Sequence, residues 1–248
     1  MKLYHELAEY YFSIEEGGRN INNDVLLIKS LLKDNIKPSL LDLGCGTGEH
    51  LFHLNKSDVR CLGMDKSLDM LKIANLRFPD AAEFIWGDMS SFDYNQEFDI
   101  IISLFGSFNY MIDDNDVNRV LINTNRALKS KGMGLFEIWN SKPLIKIQHR
   151  PISHVSTTYI NGITIERQRG FRLLKDQESK TLVMVEYKYI FSTDKVILDQ
   201  HVMRAFTKEE IEAFITGNGF RILSFYANSL KDAFKDTSNK FIVHFEKI

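Results

Sequence analysis

A short apolar strand that runs directly into a glycine-rich turn and then a helix constrains this chain more than any other feature. Residues 40–50 read LLDLGCGTGEH, with glycines at Gly44, Gly46 and Gly48. Glycine lets the backbone turn sharply and lets a ligand approach without meeting a Cβ atom. In open α/β sheets, ligands bind beyond the carboxyl ends of the strands. The segment therefore predicts a ligand site at the end of a buried strand, although a tight strand-to-helix turn alone is the simpler alternative.

The spacing of the glycines distinguishes between ligands. The dinucleotide fingerprint is G-x-G-x-x-G, and its helix N-terminus binds a pyrophosphate. Here the third glycine, Gly48, comes one residue early and Glu49 follows it. A carboxylate beside the loop repels a pyrophosphate but tolerates a sulfonium ligand with an amino acid tail. The loop therefore disfavours NAD.

The first 140 residues alternate strand and helix patterns. The strand candidates are short, nearly continuous apolar runs, which are typical of strands buried on both faces of a parallel sheet. They cover residues 39–43, 59–64, 82–86, 98–103 and 132–138. Helical periodicity between them, at 68–76 and 116–128, predicts right-handed crossovers and a doubly wound sheet.

The pattern changes after Pro143. Residues 154–206 are rich in Thr, Tyr, Val and Ile, and Asn161-Gly162 is a strong hairpin signal, so antiparallel strands are expected there. Two final strands, at 220–226 and 240–246, can complete the first sheet.

These patterns predict one domain over residues 1–248. Its fold class is α/β, with a doubly wound, Rossmann-like, seven-stranded sheet and an antiparallel β lid inserted over residues 143–206. A capping box, in which Thr207 and Glu210 begin a helix, marks the return from the lid to the main fold.

Acidic residues end or follow the next two strands. Asp65 ends the second strand, where a carboxylate can accept hydrogen bonds from both hydroxyls of a ribose. Asp88 follows the third strand, where it can accept an adenine amino group, and Met89 offers its backbone and an apolar flank. The alternatives are a helix cap for Asp65, close to Ser67, and a solvated turn for Asp88.

Taken together, these segments resemble class I S-adenosylmethionine-dependent methyltransferases. The motifs are the glycine loop, Asp65, Gly87-Asp88-Met89 and the FDII run at 98–101, and the resemblance covers residues 38–140. More narrowly, the chain is similar to N-methyltransferases that act on nucleotide-linked amino sugars. That similarity depends on the inserted antiparallel strands and on the runs GEHL at 48–51, SLDML at 67–71, FPDA at 78–81, SLFGS at 103–107 and FTKEEI at 206–211.

The resemblance implies S-adenosylmethionine as the cofactor and S-adenosylhomocysteine as the product. The implied cofactor-binding residues come from the glycine loop, from the ends of later strands and from an N-terminal segment that closes over the cofactor. They are Tyr11, Arg19, Gly44, Cys45, Gly46, Gly48, Asp65, Lys66, Met70, Asp88, Met89, Leu104 and Phe105. The glycines would face the methionine part, and Leu104 and Phe105 would lie beside the methionine tail and the reaction centre.

The same resemblance places Tyr110 where a polar residue faces the acceptor, so Tyr110 is the candidate catalytic residue. The candidate substrate residues lie near the N-terminus, after the fourth and fifth strands and in the lid. They are Tyr10, Tyr110, Glu137, Trp139, Asn140, His154 and His201. Simple packing is the alternative for each tyrosine, and a lone histidine is more often a surface or core residue. No general base is assigned.

The charge and cysteine content of the chain restrict the kinds of molecule that it is expected to bind. The chain has 31 basic and 33 acidic residues, without the basic excess of nucleic-acid-binding proteins. Its two cysteines make no disulfide framework or metal site, and the expected reaction requires no metal. No signal peptide or membrane span is indicated. A small-molecule acceptor in the cytoplasm is expected, without nucleic acid or membrane, and exposed edges of the lid strands can pair in a homodimer.

Three alternatives stay open. Methylation of RNA or protein is disfavoured by the neutral charge, and also because residues 103–106 read SLFG rather than Asn/Asp-Pro-Pro-Tyr/Phe. Another small metabolite, a glycine-like amine or a hydroxyl, shares the expected layout. A non-catalytic protein that binds S-adenosylmethionine would also retain the glycines and the acidic residues.

Overall fold

The computed structural model describes residues 1–18, 20–32, 36–55, 58–146, 149–174 and 180–248, with the backbone alone at residue 18 and at residues 149–154. Its strands are β1 (Ser39–Leu43), β2 (Arg60–Asp65), β3 (Glu83–Trp86), β4 (Phe98–Ser103), β5 (Leu128–Trp139), β6 (His149–Ile160), β7 (Ile163–Leu174), β8 (Thr181–Phe191), β9 (Val196–Ala205), β10 (Phe220–Tyr226) and β11 (Lys240–Lys247). Its α-helices are α1 (Tyr11–Glu15), α2 (Ile21–Leu32), α3 (Glu49–Asn55), α4 (Leu68–Arg77), α5 (Asp114–Ala127), α6 (Ser141–Ile145) and α7 (Lys208–Gly217).

Seven strands form one mixed sheet in the order β10-β11-β5-β4-β1-β2-β3. Strands β1 to β5 are parallel to one another, and β11 runs antiparallel between β5 and β10. The predicted α/β class and seven-stranded sheet are thus confirmed. Because chain order reverses between β1 and β4, the carboxyl ends of these two strands form the crevice in which such sheets bind ligands.

Side chains alternate between the two faces of β1 and so build two separate cores. Leu41 and Leu43 pack with the hydrophobic face of α5, whereas Leu40 packs with α2 and α3 on the opposite face. Full burial of such a side chain stabilises the fold by about 1.5–3 kcal/mol. Helices therefore pack on both faces of the sheet.

Strand β5 differs from its prediction. It begins at Leu128, directly after α5, and not at residue 132. The first residues of this strand are mostly polar, so they carry no apolar signal, and Lys131 adopts a positive φ of 60°. By contrast, β1, β4 and β10 agree with their predicted bounds at every residue.

Strands β6 to β9 form a separate four-stranded antiparallel sheet between β5 and β10 in the chain. The predicted hairpin is present, since Ile160 pairs with Ile163 around Asn161 and Gly162, both at positive φ. The predicted capping box is also present at the start of α7. None of the helices in the described part of the chain combines the length and apolar character that crossing a bilayer requires.

The N-terminal segment lies against the antiparallel sheet. Leu3 and Leu7 are buried in a third core with Val185 and Tyr189 of β8, and Met70 of α4 joins the same core. The segment therefore contacts both the inserted sheet and helix α4 of the main fold, and some of its residues line the crevice.

Candidate active site

A cavity of about 590 Å³ opens at the carboxyl ends of the parallel strands. This volume is within the usual range of small-molecule sites, about 300–1,000 Å³. Its walls come from the glycine loop, the ends of β2 and β3, the segment after β4, the N-terminal segment and β9. The cavity brings together these predicted cofactor residues: Tyr11, Gly44, Gly46, Asp65, Lys66, Met70, Asp88, Met89 and Phe105.

The loop after β1 is held against β2 by its own backbone. The N–H groups of Gly44 and Cys45 both donate to the carbonyl of Met64, at 2.8 and 3.0 Å. Gly44 has a φ of 79°, and a Cβ atom there would lie 2.5 Å from Oγ of Ser107. Glycine is therefore required here by both backbone conformation and space.

Asp65 organises the loop from the end of β2. Its Oδ2 accepts a hydrogen bond from the N–H of Gly46 at 2.9 Å, and its Oδ1 accepts one from the N–H of Ser67 at 2.8 Å. Burial raises the pKa of Asp65, although these hydrogen bonds oppose the rise. The helix cap of α4 is Ser67, whose Oγ accepts from the N–H of Met70. Each carboxylate oxygen of Asp65 has a second lone pair for a ligand hydroxyl.

Asp88 is already engaged by protein groups. Its Oδ1 accepts from the N–H and the hydroxyl of Ser90, each at 2.8 Å, and its Oδ2 lies 2.7 Å from Nζ of Lys66. Burial alone would raise the pKa of Asp88, but these hydrogen bonds outweigh it and lower the pKa. The carboxylate is therefore an ionised acceptor. Because Lys66 is largely exposed, its ion pair contributes only about 0–1 kcal/mol and can be displaced or shared.

Several predicted cofactor residues do not line the cavity. A Cβ atom at Gly48 would lie 2.8 Å from the ring of Phe84, so this glycine permits close packing between the loop and β3. Cys45 and Leu104 are buried in the core between α2, α3 and the sheet. Arg19 lies outside the described residues.

The residues at the end of β5 have structural partners. Glu137 is buried and forms an ion pair with Lys240 at 2.7 Å. The ring of Trp139 lies 6.3 Å from that of Phe171 in the inserted sheet. Neither side chain lines the cavity.

Three further candidates serve the fold or are described only in part. Asn140 is fully buried, caps α6 and donates to the carbonyl oxygens of Asp236 and Ser238. Tyr10 packs edge-to-face on Phe191 and does not line the cavity. Of His154, only the backbone in β6 is described.

Tyr110 and His201 are brought into direct contact. Oη of Tyr110 lies 2.6 Å from Nδ1 of His201 and 2.8 Å from Oη of Tyr4. Nε2 of His201 lies 2.9 Å from Oδ2 of Asp199. Tyr4 and Tyr110 line the cavity, so this chain of hydrogen bonds leads from the cavity into the inserted sheet.

The predicted site omits Tyr4 and Asp199. The D-x-H spacing of Asp199 and His201 on a strand was the available signal, because alternate strand residues point to one face. Nothing local to Tyr4 links it to Tyr110, since the two are 106 residues apart in the chain.

Asp42 is a third acidic residue near the loop, and the predicted site omits it as well. It is 3% exposed at the end of β1. Burial raises its pKa to about 7, while the nearby His50 lowers it. The signal in the sequence was a carboxylate inside an otherwise apolar strand. Its surroundings hold it partly protonated near neutral pH.

The residues of the cavity fit an adenosine-containing cation. A glycine loop with no room for a Cβ atom, two acidic acceptors at successive strand ends, and the thioether and aromatic side chains of Met70, Met89 and Tyr11 form its walls. Aromatic faces favour a cation such as a sulfonium. This combination is typical of class I S-adenosylmethionine-dependent methyltransferases.

Comparison with known proteins leads to the same family. A family model described as a methyltransferase domain matches residues 40–132. The dTDP-3-amino-3,6-dideoxy-alpha-D-glucopyranose N,N-dimethyltransferase of Streptomyces fradiae is 31% identical over 227 residues, which cover 88% of this chain and 84% of that protein. This chain belongs to the S-adenosylmethionine-dependent methyltransferases, and S-adenosylmethionine is its cofactor.

Solved structures share the fold over nearly the whole chain. A methyltransferase from Clostridium acetobutylicum has a TM-score of 0.81 at 19% identity and covers 98% of both chains. An S-adenosylmethionine-bound amino pentose methyltransferase from Micromonospora echinaspora has a TM-score of 0.72 at 19% identity and covers 96% of both chains. The predicted resemblance, enzyme class and cofactor are thus confirmed.

Proposed function

We propose that this enzyme transfers the methyl group of S-adenosylmethionine to the amino nitrogen of a nucleotide-linked amino sugar. The observation that carries the proposal is that one cavity is lined both by the glycine loop and Asp65 and by Tyr110. The Streptomyces fradiae relative, whose name specifies such an acceptor, is similar over most of both chains.

We assign the cofactor to the end of the cavity formed by the strand ends. Gly44 and Gly46 would face the methionine part and Asp65 the ribose, with Asp88 and Met89 beside the adenine. The bound cofactor supplies a methyl group already activated by the sulfonium. The contribution of the protein is therefore mainly alignment, which is worth about 7–11 kcal/mol in favourable cases.

The acceptor would lie between the cofactor and Tyr110. An amine must be neutral to attack, so a hydrogen-bond partner must orient its lone pair and its proton must leave the site. Tyr110, like Phe105 and Ser107, lines the cavity from the segment that follows β4. We propose Tyr110 as the residue that orients the acceptor.

We propose that the inserted segment, residues 143–206, is a substrate lid within one methyltransferase domain that covers residues 1–248. Val202 of β9 lines the cavity, so the inserted sheet reaches the acceptor end directly. A lid of this kind would select the acceptor by its shape and would exclude water from the reaction.

The proposal is tested in two steps. Calorimetric titration with S-adenosylmethionine, S-adenosylhomocysteine and NAD should show binding of the first two alone. Mass spectrometry should then show methylation of dTDP-3-amino-3,6-dideoxyglucose and none of its 3-hydroxy analogue. Methylation of glycine or of the hydroxyl analogue instead would identify another small-metabolite enzyme. Binding without any transfer would indicate a non-catalytic protein.

A further inference from the structure

A buried histidine and carboxylate lie directly behind the tyrosine that faces the acceptor. Asp199 and His201 are two residues apart on β9, so their side chains share the inner face of the inserted sheet. Asp199 is 8% exposed and His201 is 1% exposed. The pair is connected to the cavity through Tyr110, whose Oη lies 2.6 Å from Nδ1 of His201.

The donors and acceptors of this chain can be assigned from chemistry. The Asp199 carboxylate can only accept, so Nε2 of His201 carries the proton in the 2.9 Å contact between them. The other nitrogen of a neutral imidazole is then an acceptor, and the Tyr110 hydroxyl donates to it. The oxygen of Tyr110 keeps lone pairs for the hydroxyl of Tyr4 and for a donor in the cavity.

We propose that His201, held by Asp199, accepts through Tyr110 the proton that the acceptor nitrogen loses on methylation. This inference rests on the proposed function and adds to it the destination of the proton. The nitrogen forms a bond to the methyl carbon as the carbon–sulfur bond breaks and its electron pair goes to sulfur. As this bond forms, the nitrogen gives its proton to Oη of Tyr110, and the hydroxyl proton of Tyr110 passes to Nδ1 of His201. Asp199 stabilises the resulting imidazolium.

Burial favours this direction of transfer. It raises the pKa of Tyr110 well above its usual value, so the tyrosine stays a neutral phenol that can relay a proton but not store one. Burial would also raise the pKa of Asp199, but the hydrogen bonds from His201 and from the backbone of Leu3 and Lys2 outweigh it. They hold this pKa well below its usual range. The carboxylate is therefore charged whenever His201 receives a proton.

Other ionisable groups surround the dyad. The rings of Tyr187 and Tyr4 lie 5.0 and 5.3 Å from that of His201. The inner face of the neighbouring strands carries Tyr187 and Tyr189 of β8 and Arg167 and Arg169 of β7, and the N-terminal segment adds ionisable groups that include Lys2, Tyr4, His5, Tyr11 and Glu15. Arg167 is ion-paired with Glu15, which offsets its positive charge near the dyad.

The pH dependence of turnover tests the relay. The kcat–pH profile of the wild type with the amino sugar is the reference for the variants. In Asp199→Asn, His201→Gln and Tyr110→Phe, kcat at neutral pH should fall about 100-fold, a usual contribution of general base catalysis. The variants should recover at alkaline pH, where hydroxide removes the proton, and their calorimetric affinity for S-adenosylmethionine should stay within twofold.

A matched control is His244→Gln. His244 is a buried histidine of β11 that lies 3.4 Å from Sδ of Met133 and does not line the cavity. This variant should keep the wild-type pH profile. Tyr110→Phe distinguishes loss of the relay from misfolding. It removes the hydroxyl through which the proton passes, and it leaves Asp199 and His201 in place.

The free protein allows a second readout that does not depend on turnover. ¹⁵N NMR should show His201 as the neutral Nε2–H tautomer, with Nδ1 losing its hydrogen bond in Tyr110→Phe. An Nδ1–H tautomer, or an unchanged kcat–pH profile in all three variants, would overturn the relay. If the wild type methylates no amino sugar at any pH, the proposed function fails and the proton-acceptor role fails with it. The tautomer measurement still reports separately on the geometry of the dyad.

Discussion

At the scale of single residues, the surroundings of each carboxylate decide its role. Asp65 accepts two backbone hydrogen bonds at the edge of the cavity, and Asp199 is held ionised by a histidine and the N-terminal backbone. Asp42 is buried, and this burial raises its pKa to about 7 although the nearby His50 lowers it. The pKa values of these three aspartates are thus shifted differently by their surroundings.

Replacing Asp65 with alanine should weaken binding of S-adenosylmethionine roughly 10- to 150-fold. A lost hydrogen bond to a charged group is worth about 1.5–3 kcal/mol. The hydrogen bond that Asp65 accepts from the N–H of Gly46 is lost as well. Calorimetric titration measures the change. Asp69→Ala is the control, since Asp69 is an exposed partner of His5, and it should bind as the wild type does. Unchanged affinity of a folded Asp65→Ala variant would remove Asp65 from the cofactor site.

Replacing Asp42 with asparagine should change how stability depends on pH. The folded-state pKa of about 7 lies above the reference value of 3.8, so the contribution of Asp42 to stability is fully present below pH 3.8. It is lost as pH rises towards 7, by up to about 1.4 kcal/mol per pH unit. Asparagine stays neutral, so the variant should gain stability relative to the wild type between pH 5 and pH 8. Urea denaturation at both pH values measures this gain, and a constant difference would contradict the elevated pKa.

At the scale of elements, the loop after β1 combines backbone strain with close packing. Gly44 and Gly162 both have a φ of 79°, but they differ in their surroundings. A Cβ atom at Gly44 would collide with Ser107, whereas a Cβ atom at Gly162 would have nothing within 4 Å. Substitutions at the two glycines therefore separate the free-energy cost of the left-handed backbone conformation from the cost of a steric clash.

Gly162→Ala should cost about 1–2 kcal/mol of stability, the penalty for a left-handed alanine, and should leave cofactor binding unchanged. Gly44→Ala should cost more, because Ser107 must move, and it should also weaken binding of S-adenosylmethionine. Urea denaturation and calorimetric titration of both variants check this. Equal effects of the two variants on binding would show that the loop does not contact the cofactor.

At the scale of the whole molecule, the cavity depends on three separate parts of the chain. The N–H of Leu3 donates to Asp199 of β9, and the carbonyl of Tyr4 accepts from the hydroxyl of Ser67, which begins α4. The N-terminal segment therefore connects the inserted sheet to helix α4 of the main fold. A ligand in the cavity should stabilise all three parts together.

S-adenosylmethionine at 100 times its Kd should raise the Tm of the protein by about 5–10 °C. Mass action gives about 2.7 kcal/mol of stabilisation at that concentration, and 1 kcal/mol corresponds to about 2–4 °C in a chain of this size. Differential scanning calorimetry measures the shift, with NAD at equal concentration as the control. An equal shift with NAD would contradict the assignment of the cofactor.

The local sequence determined the sheet and the residues at its strand ends. Apolar runs set the bounds of β1 and β4, because a strand buried on both faces is largely apolar along its length. The glycine loop, Asp65 and Asp88 then converge, since the ends of parallel strands meet at one edge.

Only the tertiary structure decided which other polar residues meet in the cavity. Tyr110 and His201 are 91 residues apart, and their contact depends on how the inserted sheet packs against the segment after β4. Glu137 follows the same strand-end rule as Asp65, yet it pairs with Lys240, because β11 supplies a charged neighbour that no local pattern near Glu137 reveals. Periodicity within a segment specifies which face of an element is buried, whereas the partner of a polar side chain depends on the packing of distant elements.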